Sequence, residues 1–483
     1  MSAASTRSPS TASSSTASLL SPSSTPANSI AKPKSNERQL SALLSLAVQL
    51  SVNQMVRRVL LVTDTAYLGR LGTKELAGVA LANLWINVPF NFVQYAVPAI
   101  SILGSQAFGA EDYAAMGSWL QTSVVFALVS CVPVGLVHVF VGDLISLTMT
   151  DSATVAFGTE YGRILATALV PRYLYSCLSA YFATIDVVQA STVCSVVTML
   201  LNIALNQLLI YGVGTWRGLG FAGSPWATVI SSYVQLLLFA SYTMLWKRYH
   251  VPYWGGWSKA CVSRLQLHTF LALALPMGAS SAVDWSSLTV AGMVLATLSP
   301  EVSAANAVLF GLFGVAYACV SGFAAATQIF MSRAIGLGSM VAAKHALLHG
   351  TFLMTIVAAA LIIVIAAAPA QILALWTRDV RVVDLCRSVL GPFLVSVALI
   401  FYRFLLSSSA NAVELSRWGF HCNNFGAWIV FVPLTYVAVI NGGWGLTGYW
   451  VANALGEVVK IVLLVWGLQQ KNWSGTPIIS VKL

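Results

Sequence analysis

An all-α polytopic membrane protein, with twelve transmembrane helices arranged as two six-helix bundles, is the fold this sequence predicts. Three observations lead there. Hydrophobic residues make up 58% of the 483-residue chain and charged residues only 8%, against about 25% charged in a soluble domain. From residue 41 onward, apolar stretches long enough to cross the hydrocarbon alternate with short polar breaks. The second half of the chain also repeats short motifs of the first at a nearly constant spacing.

Residues 1–40 are Ser/Thr/Pro-rich, and the first acid is Glu37. So little apolar content cannot hold a fold, and the segment reads as a disordered cytoplasmic tail. Leu19-Leu20 is too short for the apolar core of a signal peptide. The Ser content and missing acids also fit an organellar transit peptide. Helices are expected over 41–68, 76–105, 119–142, 158–184, 190–212 and 221–246, then 267–297, 302–332, 345–368, 384–410, 419–440 and 445–467. The N-terminal bundle is therefore 41–246 and the C-terminal bundle 267–468. A basic linker at 247–266 joins them, and 469–483 is a cytoplasmic tail.

The formal charge is +10. In a chain this apolar, the excess reads as topology rather than as affinity for nucleic acid, since basic loops stay in the cytoplasm. Lys247, Arg248, Lys259 and Arg264 in the linker, Arg333 and Lys344 between helices eight and nine, and the basic residues of both tails fall on one face. That face is expected to be cytoplasmic, with both termini on it. The seven cysteines contain no CxxC pair, and the histidines form no metal pattern, so neither a metal nor a cofactor is expected.

The internal repeat organises the site. SQAFGA (105–110) lines up with SRAIGL (332–337), and LGFAGSPWA (219–227) with WGLTGYWVA (444–452). Six helices per half is an even number, so both halves enter the membrane from the same side. An axis along the membrane normal relates such halves, and the substrate binds between them near the midplane.

Acids inside a span are costly, about 2.5–3.5 kcal/mol each on insertion scales, and mark function. Asp64 ends helix one. Asn202 and Asn206 share a face of helix five, and with Thr228 of helix six they complete a polar pocket for an ion. Asp284 lies near the middle of helix seven with no basic neighbour in sequence, so it reads as an isolated mid-membrane carboxylate and the strongest ion-coupling candidate. Arg57 and Arg58 interrupt helix one, either snorkelling or lining an opening. Arg403 of helix ten is placed to offset Asp284 across the cleft. Asn87, Asn91 and Tyr95 form a stripe on helix two. With Thr289, Asn306 and Tyr317 they are the expected substrate-binding residues, and the aromatics suit organic cations.

Five segments together resemble the multidrug and toxic compound extrusion family: DTAYLGRLGTKELAGVALAN (64–83), GSQAFGAEDYAAMGSWLQTS (104–123), LLNIALNQLLIYG (200–212), GLGFAGSPWATVIS (218–231) and LPMGASSAVDW (275–285). Each is weak alone, but all five stand in the family's order on the right helices. The chain departs from the pattern where a helix-five Asp falls on Asn206, a helix-seven Glu on Asp284, and a second helix-seven acid on Thr289. The resemblance implies a secondary antiporter that exports organic solutes, organic cations and xenobiotics first, in exchange for H⁺ or Na⁺. Two alternatives are an organic-anion exporter, which Arg57, Arg58 and Arg403 favour, and a lipid-linked oligosaccharide flippase of the same superfamily. No dyad or metal pair of an intramembrane enzyme is visible. The expected partners are a small-molecule substrate and the bilayer. The protein is expected to act as a monomer in the plasma membrane or a vacuolar or other organellar membrane.

Overall fold

The computed structural model describes residues 36–147, 149–377 and 379–474. The predicted tails fall largely outside these residues. Twelve spans run in order: α1 (Asn36–Leu71), α2 (Thr73–Gly109), α3 (Tyr113–Val139), α4 (Ser152–Ala166 continued by Leu169–Ala183), α5 (Gln189–Tyr211), α6 (Gly220–Trp246), α7 (Arg264–Ala296), α8 (Pro300–Gly336), α9 (Met340–Ala367), α10 (Leu390–Ala412), α11 (Ser416–Asn441) and α12 (Gly445–Gln469). Each overlaps its predicted helix, with ends shifted by a few residues. Short helices at Val141–Ser146, Pro369–Leu373 and Val380–Ser388 cap the ends of α3 and α9 and lead into α10.

Nine of these spans are long and apolar enough to cross a membrane on hydropathy alone. The three that fall short are α1, α4 and α7. Each carries charge inside the protein: Arg57, Arg58 and Asp64 on α1, Arg172 on α4, and Asp284 on α7. Three of the helices that contribute charge to the site thus look least like membrane spans.

The backbone departs from regular helix at identifiable places. α2 breaks at Val97–Pro98, where proline supplies no amide donor. α4 breaks at Thr167–Ala168, just ahead of Pro171. α11 widens into π-turns at Phe425–Phe431 and Val437–Asn441, a feature frequent beside functional sites.

Among the contacts between the halves α1–α6 and α7–α12 are two crossings, α1 on α8 and α2 on α7. Both rely on glycine. A methyl on Gly322 would strike the Ala47 carbonyl, and one on Gly278 would lie 2.5 Å from the Phe92 carbonyl. These contacts are pseudo-symmetric: Gly278 is the repeat equivalent of Ser51, which Gly322 also touches. A second reciprocal pair closes the helix ends. A methyl on Gly109 would meet the Arg333 carbonyl, and one on Gly336 the Gln106 carbonyl. Gly109 and Gly336 are repeat equivalents, as are Gln106 and Arg333. The sequence repeat is therefore a spatial pseudo-twofold.

The 247–266 linker is strapped to the N-terminal half along α3. Gln121 donates to the Gly256 carbonyl at 2.9 Å and accepts from the Ser258 amide at 3.0 Å, and Thr122 donates to the Cys261 carbonyl at 3.0 Å. Gly255 has φ +63 and rests on Ala114, where a side chain would be strained as well as crowded. This segment marks one membrane face, the linker face.

Candidate functional site

Three groups of side chains lie between and within the halves. The first is the pocket expected at Asp64. Asn206 Nδ2 donates to Asp64 Oδ1 at 2.8 Å and Thr228 Oγ1 to Asp64 Oδ2 at 3.1 Å. Asn206 Nδ2 also faces the Asn202 Oδ1 and carbonyl oxygens, at 2.9 and 3.1 Å. Its three neighbours are all acceptors, which fixes the amide nitrogen, not the oxygen, toward the carboxylate. The structure thus brings together all four residues that the sequence assigned to this pocket. No salt bridge to Asp64 exists among the described residues; Arg172 of α4 lies within electrostatic range, with Tyr161 nearby.

The second group corrects an expectation. Asp284 is not an isolated carboxylate. It sits in a closed ring of alternating charge: Arg403 Nη1 to Asp284 Oδ2 at 2.9 Å, Arg403 Nε to Glu457 Oε2 at 2.9 Å, Lys460 Nζ to Glu457 Oε1 at 2.8 Å and Lys460 Nζ to Asp284 Oδ1 at 3.1 Å. Arg403, Glu457 and Lys460 are almost fully buried. The expectation failed because Asp284's partners come from α10 and α12, more than a hundred residues away. The Arg403 pairing matches the sequence expectation, whereas Glu457 and Lys460 are additional members. The available signal was two opposite charges three residues apart inside the apolar α12. Room for the lysine comes from Gly426, in the π-turn of α11, whose missing side chain leaves space for the Lys460 stem.

The third group joins the halves. The Tyr95 hydroxyl of α2 meets that of Tyr317 on α8, with Arg57, Arg58 and Asp284 in electrostatic range of Tyr95. Tyr317 packs on Phe404 with ring centroids 4.7 Å apart, and the Arg403 guanidinium lies 4.1 Å from the Phe404 centroid. Arg58 lies against the backbone of Gly314, across the cleft. Arg57 stands 5.9 Å over the Tyr175 ring, and Arg172 stacks 4.2 Å over Phe90.

Of the predicted substrate residues, Tyr95 and Tyr317 are thus brought together. Asn87 is exposed and Asn91 half-buried. The Thr289 hydroxyl donates to the Trp285 carbonyl of its own helix at 2.8 Å. Asn306 is buried, and its Oδ1 has no hydrogen-bond partner.

On the linker face the halves are latched. Arg333 reaches across to Asp186 and to the Thr184 carbonyl. Gln106, its repeat equivalent, reaches the Ala412 carbonyl at 3.5 Å.

Two repeat-related helical bundles with charged side chains between and within them have the build of a membrane transporter. The chain belongs to the MatE family, whose model matches residues 50–208 and 276–437, one segment in each half. It is 25% identical over 439 residues to human "Multidrug and toxin extrusion protein 1" (Homo sapiens), covering 90% of this chain and 75% of that protein. It is 25% identical over 357 residues to mouse "Multidrug and toxin extrusion protein 2" (Mus musculus), covering 74% of this chain but only 61% of that protein. The fold is similar to the crystal structure of the eukaryotic MATE transporter AtDTX14. The TM-score is 0.83 at 20% identity, covering 91% of this chain and 97% of that one.

Proposed function

We propose that the protein is a secondary active exporter that expels organic solutes in exchange for H⁺. The observation that carries this reading is the Asp64 carboxylate, held inside the protein by neutral donors alone. Proton gain and loss there needs little rearrangement. Thr228 Oγ1 also lies 3.4 Å from the Ser224 carbonyl, so its hydroxyl can donate to that acceptor while its oxygen accepts a hydrogen bond from a neutral Asp64. Asn206 presents its donor to the carboxylate, which suits H⁺ better than Na⁺, a cation that seeks oxygen ligands. A proton drives export only through different affinities for the two states of the transporter. The ring around Asp284 keeps both its acids paired, so coupling falls to Asp64.

The linker face is the cytoplasmic one on this reading, because the basic loops lie there. On this reading the structure is a state closed toward the cytoplasm. One chain supplies both walls of the cleft, which supports a monomer as the working unit in the plasma membrane or a vacuolar or other organellar membrane. Names such as multidrug and toxin extrusion among its relatives support organic cargo.

Counterflow in proteoliposomes tests the reading, with pH and Na⁺ gradients imposed separately on a mixed panel of labelled organic ions. A pH gradient should drive cargo out and a Na⁺ gradient should not. Movement that ignores both gradients would overturn ion-coupled export.

A further inference from the structure

We infer that the cargo carries an anionic group, received by Arg57 and Arg58; the inference rests on the exporter reading and names its substrate class. Charge does not balance over the side chains that reach one another between and within the halves. These are Asp64, Asp284 and Glu457 against Arg57, Arg58, Arg172, Arg403 and Lys460. The ring formed by Asp284, Glu457, Arg403 and Lys460 is neutral by itself. Asp64 and Arg172 face one another within electrostatic range and offset each other. The remainder is two positive charges, and both sit on the adjacent pair Arg57–Arg58 near the middle of α1.

Neither guanidinium forms an ion pair with a carboxylate of the described residues. Arg57 stands over the Tyr175 ring and Arg58 against Gly314. Arginine at the centre of a span costs about 2.5–3.5 kcal/mol on insertion scales, and two side by side repel. Such a pair persists where water and a ligand of opposite charge reach it. Stacking on an aromatic face also leaves the edge of a guanidinium free, and that edge matches a carboxylate, sulfonate or phosphate in two-pronged geometry. The pair sits at the junction of the halves, beside Tyr95 and Tyr317, where bound cargo touches both bundles. A cationic cargo meets a surplus of like charge at the same place. The anion site lies about two helical turns, roughly 10.5 Å, from Asp64. Proton and cargo therefore occupy different sites, and their exchange is linked through the movement of the halves.

The test is equilibrium binding to the purified full-length protein. The labelled probes are p-aminohippurate, benzenesulfonate and phenyl phosphate as anions, and tetraethylammonium as the cation. At least one anion should bind and be displaced by the other two. Arg57→Gln/Arg58→Gln should weaken it at least tenfold, whereas Arg57→Lys/Arg58→Lys, which keeps the charge, should stay within about threefold. Thermal unfolding of both variants checks that they are folded. If no anion binds, or if the Gln variant binds it as tightly as the original chain, the inference is overturned. Counterflow separates this from the parent reading. Anion binding without gradient-driven movement defeats the exporter and leaves the arginine site standing, whereas gradient-driven movement of the cation alone does the reverse.

Discussion

Arg333 holds Asp186 through both of its terminal guanidinium nitrogens, at 3.0 and 2.8 Å, and donates to the Thr184 carbonyl at 2.7 Å. The contact bridges the C-terminal half to the N-terminal half on the linker face. Its pseudo-symmetric counterpart pairs Gln106 with Ala412 and carries no formal charge at the donor. The turns that receive them are built alike, with Asp186 and Glu414 both at φ +62. The two donors thus differ in charge: a guanidinium reaches across from one half of the repeat and an amide from the other.

Arg333→Gln makes the two donors alike and should loosen the closed state without abolishing it. The Asp186 side chain is 55% exposed and that of Arg333 13%, so the pair is worth about 0.5–1 kcal/mol. That corresponds to roughly a two- to fivefold gain in the open population. Ser105 is buried on α2 next to this closure. In a cysteine-free background, a Ser105→Cys thiol should react with a soluble maleimide about two to five times faster when Arg333→Gln is added. An unchanged rate would show that the pair does not hold the gate.

The reciprocal glycines should matter more than the salt bridge, because backbone cannot yield as a side chain does. Gly109→Ala and Gly336→Ala each place a methyl against a carbonyl of the other half. Both should prevent full closure and cut transport at least tenfold, by about the same factor since they are repeat equivalents. Gly292→Ala and Gly391→Ala, which meet nothing within 4 Å, are the controls and should transport normally. Unequal losses at the two positions would mean that closure is not symmetric in practice.

How much of this was legible beforehand depended on sequence distance. The spans followed from apolar length, and the halves from the matched SQAFGA and SRAIGL segments. The Asp64 pocket was legible because Asn202 and Asn206 share a helix face and the family pattern placed Thr228 beside them. The ring was only half visible. Asp284 is 119 residues from Arg403 and 176 from Lys460, and helical periodicity carries no information about which distant helix will face it. Arg172 escaped notice for a related reason: it stands in an apolar run, and only the break at Thr167–Ala168 brings its stretch of α4 beside Asp64.

The ring makes a distinct prediction about stability. Lys460→Met leaves two buried acids sharing Arg403. Removing one member of a buried ion pair typically costs about 3–5 kcal/mol. The paired change Glu457→Gln/Lys460→Met keeps the remaining Arg403–Asp284 pair in balance and should cost clearly less. Unfolding rates on heating in detergent compare the two, with the single variant unfolding faster. If both variants unfold alike, the four residues do not act as one charge-balanced unit.

The proton assignment at Asp64 can be separated from its structural surroundings by removing one donor at a time. Thr228→Val deletes the hydrogen bond at 3.1 Å to Asp64 Oδ2 and changes no charge. A bond to a charged group contributes about 1.5–3 kcal/mol, and each 1.36 kcal/mol is about one unit of proton affinity. Losing it disfavours the ionised form more than the neutral one, so the pH midpoint of transport should rise. Asp64→Asn should remove that dependence entirely while leaving any gradient-independent exchange of cargo in place. A Thr228→Val profile that overlays the original would mean that the proton driving transport is taken up elsewhere, and would return the ring around Asp284 to consideration.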